Sequence, residues 1–171
     1  MQANNAVPTI KRRLIAMVYE ILLALAALFL PFLVFEIATK ASHTALVEHM
    51  RQFLAFLILG AYFIHQWTRK GQTLAMQTWR IKLVQSGQSH LPIRTAALRY
   101  LLCWLWILPG IVVAYLGDLS NKHKLYALLA SVLLWSLTAF LDKDRQFLHD
   151  RIAGTRLVQL PKPEKKGAKA A

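Results

Sequence analysis

Apolar residues run through this chain in four long blocks, at about residues 14–35, 51–67, 98–116 and 125–141, with the polar residues gathered between the blocks. A bilayer core of roughly 30 Å takes on the order of 20 apolar residues in a helix, so each block predicts a membrane-spanning helix, the second with help from its flanks. The first block follows Lys11, Arg12 and Arg13 and contains Ala24-Leu25-Ala26, as a cleaved signal would. The apolar run continues to Phe35, however, so this helix is predicted to be retained. The pattern changes period in two places. Residues 79–85 alternate apolar and polar before the turn signal Ser86-Gly87, and residues 154–160 echo them. Lys82-Leu83-Val84-Gln85 and Arg156-Leu157-Val158-Gln159 share the order cation, Leu, Val, Gln, which suits two short paired strands. The fold class predicted is an all-α membrane protein, a four-helix transmembrane bundle carrying a small element with a strand pair. Residues 1–160 form this domain, and 161–171, PKPEKKGAKAA, form a basic tail too polar to bury and predicted to be disordered.

Composition and charge sharpen the picture. Of 171 residues 56% are hydrophobic, in uninterrupted blocks, which fixes an integral membrane protein. The net charge of +13 would suit nucleic acid only on a water-exposed domain; here the cations flank apolar blocks, so no nucleic-acid partner is expected. Seventeen Lys and Arg fall in the N-terminal arm, the middle connection and the C-terminal segment, against four (Lys40, Arg51, Lys122, Lys124) in the other two connections. The positive-inside rule then places both termini and the strand-bearing element in the cytoplasm of a multi-pass protein of the cell (inner or plasma) membrane, its basic face offered to anionic lipid. Trp67 reads as an interfacial aromatic, and Tyr115 as another on the far side. Cys103 is the single cysteine, so no disulfide can form within the chain.

Glu20 lies inside the first block, seven residues after Arg13. That spacing is about 700° of helix, so the two share a stripe about 10 Å apart along the axis, with Ala16, Ala24 and Ala27 on the same stripe. A carboxylate facing hydrocarbon costs roughly 3 kcal/mol, so Glu20 should face the bundle. There it serves either as structural glue between helices or as a proton or cation site, with Arg99 a candidate partner because it opens the third block on the same side as Arg13. The candidate ion or proton pathway is therefore Glu20, Arg13 and Arg99. Asp142, Asp144, His149 and Asp150 cluster near the C-terminus, but one His with scattered carboxylates lacks metal-site spacing, so no metal or other cofactor is expected. Asp150 is read instead as an acceptor for backbone N–H groups or for an arginine on the cytoplasmic side. No nucleophile elbow, phosphate loop or acid/base pair in a soluble domain is present, so the chain is read as not an enzyme.

The segment Arg13-Leu-Ile-Ala16-Met-Val-Tyr-Glu20 resembles the N-terminal signature of the RDD family of membrane proteins, in which an arginine opens the first helix and an aspartate follows seven residues later. Gly71-Gln72-Thr73-Leu74 is similar to that family's GQTLGK-type motif, departing at Ala75-Met76, and Arg99 stands where the family has an arginine opening its next helix. Leu148 to Val158 resembles the closing LHDxxAGTxVV segment. The resemblance implies structural roles for Gly71, Gln72, Thr73, His149, Asp150, Gly154 and Thr155. It also implies cation/proton exchange as an activity suggested for some members. Glu20 keeps the charge of the family's aspartate with one more methylene. Two functions follow as expectations: a small transporter or cation/proton exchanger using the intramembrane carboxylate, with Pro31 and Pro109-Gly110 breaking helix regularity as gating backbones do, or a non-transporting accessory protein that binds a membrane partner. Four helices would enclose a path only with help, so a homo-oligomer or a membrane-protein partner is expected alongside the lipid bilayer.

Overall fold

A computed structural model describes residues 7–88, 90–142 and 146–161. Asp144 and, but for Pro161, the predicted basic tail lie outside these residues. Helix α1 spans Ile10–Ala38, started by Thr9, whose hydroxyl accepts from the Arg12 amide. Helix α2 spans Ala45–Lys70 and begins six residues before the predicted boundary at 51, because Thr44 caps it by accepting from the Val47 amide. The cap ahead of Glu48 and Arg51 lets polar residues form a first turn that hydropathy alone does not register. Both helices are long and apolar enough to cross a membrane, as is Asn121–Phe140 within α6 (Asn121–Leu141).

The remaining predicted span differs from the regular helix expected over 98–116. Pro92 sets the N-terminus of α4 (Ile93–Cys103), five residues early. A 3₁₀ turn at Trp104–Trp106 then separates α4 from α5 (Leu108–Leu116), the two halves being bent by 40°. Pro109 supplies the cause: it has no amide hydrogen and its ring crowds the preceding turn, so the α-helical ladder cannot run through it. Behind the break Gly110 lets α5 close on α6, for a Cβ there would stand 2.9 Å from the Ala127 carbonyl oxygen. Pro31, by contrast, leaves α1 one continuous helix. Three straight spans, with the bent pair as a fourth, make the bundle.

Helix α3 (Leu74–Thr78), β1 (Ile81–Gln85), α7 (Leu148–Ile152) and β2 (Thr155–Gln159) sit together at one end of it. The strands pair antiparallel with Leu83 opposite Leu157 and Val84 opposite Arg156, so the two echoed segments face each other. Both outer edges are sealed. The Leu83 amide donates to the Gly71 carbonyl (2.7 Å) and the Gln72 amide nitrogen to the Ile81 carbonyl (2.7 Å). On the other edge the Gln146 side chain gives and takes one bond each with the Leu157 backbone (3.3 and 2.9 Å). Two side-chain amides thus supply what further strands would, and an isolated pair too small to be stable alone is held in place.

The core lies at this sheet end. Ile81, Leu83, Leu157, Trp67, Ala96 and Tyr100 are buried in one cluster. Along the spans the reverse holds: none of the most apolar window of α1 is buried, and Leu22, Phe29 and Leu133 are each more than 60% exposed. Water would not tolerate that surface, whereas lipid requires it.

Candidate functional site

Where the bundle meets the sheet element a cavity of about 270 Å³ opens between α1, α2 and the break in the third span. Arg13, Ala16, Glu20 and Ala24 of α1 line it, so one face of that helix, read from spacing alone, is the face presented to the cavity; Ala27 is outside. Phe63 and Trp67 of α2, Thr73, Arg99, Trp106, Phe147 and His149 complete much of the wall.

Glu20 is half-buried. The Tyr62 hydroxyl donates to its Oε1 (2.8 Å) and the Thr73 hydroxyl to its Oε2. Thr73 is positioned for this because it caps α3, its hydroxyl also accepting from the Met76 amide (3.2 Å). Gly71 brings the chain there: it ends α2 at φ +67°, and a Cβ on it would lie 2.6 Å from the Leu83 carbonyl oxygen. The Gly71-Gln72-Thr73 run therefore performs three tasks in order, a left-handed helix stop, an edge seal and a bond to Glu20. Among the described residues Glu20 forms no ion pair.

Arg99 does not meet Glu20, contrary to the expected pairing. It is buried, and its Nε and Nη2 donate to one oxygen of fully buried Asp150 (2.9 and 2.7 Å). The carboxylate of α7 compensates the charge on the spot, so Arg99 has nothing left to seek across the cavity. Its guanidinium also stands 4.3 Å from the Trp67 ring centroid. Trp67, only 4% exposed, is thus a buried platform for a cation and not the interfacial aromatic expected from its place at a helix end. Arg13 is buried as well; its Nε donates to the Pro8 carbonyl (3.1 Å) and its guanidinium lies over Phe147 (5.3 Å).

His149 is the centre of a second arrangement. Its Nδ1 accepts from the indole nitrogens of Trp106 (2.9 Å) and Trp135 (3.2 Å), which places the ring proton on Nε2, 3.5 Å from Asp150 Oδ1. Burial pushes the imidazole down to about 4, against the pull of Asp150, with the Arg99 and Arg13 charges lowering it further. At neutral pH His149 is an uncharged acceptor bracketed by two indoles. Gly154 (φ +66°) then turns the chain into β2, and the Thr155 hydroxyl donates to the Asp150 carbonyl (3.2 Å). Asp142 accepts from the Gln146 amide (2.9 Å) and pairs with Arg151.

Tyr62, Trp106, Trp135, Gln146 and Phe147 belong to these networks and were not legible beforehand. Each sits where an aromatic or amide has an ordinary alternative explanation, in an apolar span or a connection. The one available signal for Tyr62 is that it is a phenol in the middle of a span, where its O–H needs a partner.

A bundle of apolar-faced helices with buried charged groups at one end defines a small membrane protein of several apolar helices with a polar site between them. The chain belongs to the RDD family of membrane proteins, whose sequence model matches residues 7–154. Neither the curated proteins nor the solved structures gave a match.

Proposed function

We propose that the protein is a proton-coupled cation transporter of the cell membrane in which Glu20 carries proton and cargo alternately, with both termini and the sheet element facing the cytoplasm. One observation carries this reading: the Glu20 carboxylate lies on the wall of a cavity between spans, bonded to two neutral hydroxyls and, among the described residues, paired with no cation. A carboxylate half-withdrawn from water and not ion-paired gains from taking up either a proton or a cation, which is the property an exchange site needs. Arg99, which lines the same cavity, is spent on Asp150. No step in this reading is enzymatic. A partner subunit or membrane protein would complete the enclosure along the lipid-facing side of the cavity.

The bonds from Tyr62 and Thr73 favour a second reading, in which Glu20 is structural and ties α1 to α2 and α3 in an accessory protein. Proteoliposomes separate the two. An exchange site predicts that Glu20→Gln folds but loses cation-driven proton flux, whereas Glu20→Asp keeps it. Flux retained in Glu20→Gln would assign the residue to structure and remove the case for transport through it.

A further inference from the structure

Resting on the transport reading, we propose that the cavity takes a monovalent organic cation with an apolar, aromatic-sized body, exchanged for a proton at Glu20. Size is the first ground. About 270 Å³ is far more than a bare metal ion fills; it lies between the roughly 150 Å³ that takes up benzene and the roughly 300 Å³ at which pockets for drug-sized ligands begin. The donor set is the second. Inorganic cations replace their hydration shell with rings of oxygens, six or so for divalent ions. Among the described residues the groups bonded to the Glu20 carboxylate are the Tyr62 and Thr73 hydroxyls, and the rest of the lining is mostly apolar. Among the described residues no group of three metal-binding side chains exists.

Aromatic walls are the third ground. Phe63, Trp67, Trp106 and Phe147 all border the space. Trp67 and Phe147 already hold guanidinium groups over their faces, at 4.3 and 5.3 Å, so these rings stand where cations bind. Ring faces recognise ammonium groups in the same way. Access is the fourth. Ile21 of α1 and Ile107 at the break of the third span line the cavity, and they are 59% and 39% exposed, so the space is not closed off by protein on their side. An apolar opening of this kind offers a route to a ligand that partitions into lipid and a barrier to a hydrated ion.

One cation exchanged for one proton leaves the total charge around the space unchanged. Among the described residues the ionisable groups around the space are Arg13, Glu20, Arg99, Cys103 and His149, with Tyr62 behind Glu20, Asp150 behind Arg99 and Asp142 acting on Arg13. Arg99 is neutralised by Asp150 and His149 is uncharged, while Arg13 sits a helix spacing of about 10 Å from Glu20. On exchange the Glu20 O–H bond breaks, the proton goes to water, the oxygen keeps the electron pair, and the cation takes the proton's place without forming a covalent bond.

The test is binding to purified protein in nanodiscs, read by tryptophan fluorescence, since Trp67 and Trp106 line the space. Benzyltrimethylammonium should bind saturably at pH 8, about tenfold or more tighter than tetramethylammonium, which lacks the ring, or benzenesulfonate, which carries the opposite charge. Acidification to pH 5 should weaken it, and Glu20→Gln should abolish it. The comparison of probes uses the unaltered protein and does not depend on any variant folding. Tighter binding of benzenesulfonate, or no saturable binding of benzyltrimethylammonium, overturns the proposal. If sodium- or potassium-driven proton flux persists in that second case, the transport reading survives and the ligand class falls. Saturable binding with no flux of any kind supports the ligand class and defeats transport.

Discussion

His149 shows how a single residue can be tied to pH by its surroundings. Two indole N–H groups aim at Nδ1 and burial excludes water, so protonation would both break those bonds and add a charge beside Arg99. Its folded value of about 4 lies below an unfolded value near 6.5. The unfolded chain therefore binds more protons between these limits, and stability is full above about pH 6.5 and falls as pH drops towards 4. The ceiling on this contribution is roughly 3 kcal/mol. Thermal unfolding between pH 7 and pH 4.5 should show a slope that is reduced in His149→Gln, which offers the indoles an amide oxygen but no titrating group. An unchanged slope in that variant would mean that other groups set the acid sensitivity. Arg99 and Asp150 obey a related rule: each is tolerated in the interior because of the other, and removing one alone strands a buried charge at a cost of about 3 to 5 kcal/mol.

At the scale of elements, the turn from α2 into α3 and β1 is the joint of the molecule. Gly71 must take a left-handed conformation and must also leave room for the Leu83 carbonyl oxygen, which would lie 2.6 Å from a Cβ there. Gly87 is also left-handed (φ +77°) but meets nothing within 4 Å. The pair separates strain from collision. Gly87→Ala should cost about 1 kcal/mol of backbone strain, and Gly71→Ala measurably more, because the edge bond from Leu83 must open as well. Denaturation midpoints of the two variants side by side check this, and equal losses would show that the Leu83 contact yields freely. A displaced joint also moves Thr73, so Gly71→Ala should disturb the Glu20 environment from a distance, whereas Gly87→Ala should not.

On the scale of the whole molecule, apolar surface outside and a polar, tightly packed end define an object that is only stable across a lipid boundary. At the far end from the sheet, Arg51 binds Glu36 (2.7 Å) and Glu48 (2.6 Å), closing the turn between α1 and α2 with two carboxylates on one guanidinium. The sheet end carries unbalanced cations instead, which gives the orientation argument its force. Reporters fused after Ala171 and inserted at Gly87 should therefore appear on one side of the membrane and a reporter at His43 on the other. A shared side for Gly87 and His43 would break the arrangement of spans.

Much of this was written along the chain. Three of the four apolar blocks are helices long enough to span and the fourth is a bent helix pair, because lipid imposes a length on any helix that crosses it and a local pattern reads that length directly. The strand pair was legible because alternation and the repeated cation-Leu-Val-Gln are local too, and Leu83 does meet Leu157. The stripe of Arg13, Ala16, Glu20 and Ala24 follows from helical period alone. Partners across space were another matter. Glu20 meets Thr73 over a separation of 53 residues and Arg99 meets Asp150 over 51. Spacing holds no record of such contacts, since they depend on how the bend at Pro109 and the turn at Gly71 deliver α7 and α3 to the bundle. Sequence determined what kinds of groups would be buried and on which faces. Only the tertiary structure decided which charge compensates which, because an arginine takes the nearest carboxylate in three dimensions, and that left Glu20 to two hydroxyls and a cavity.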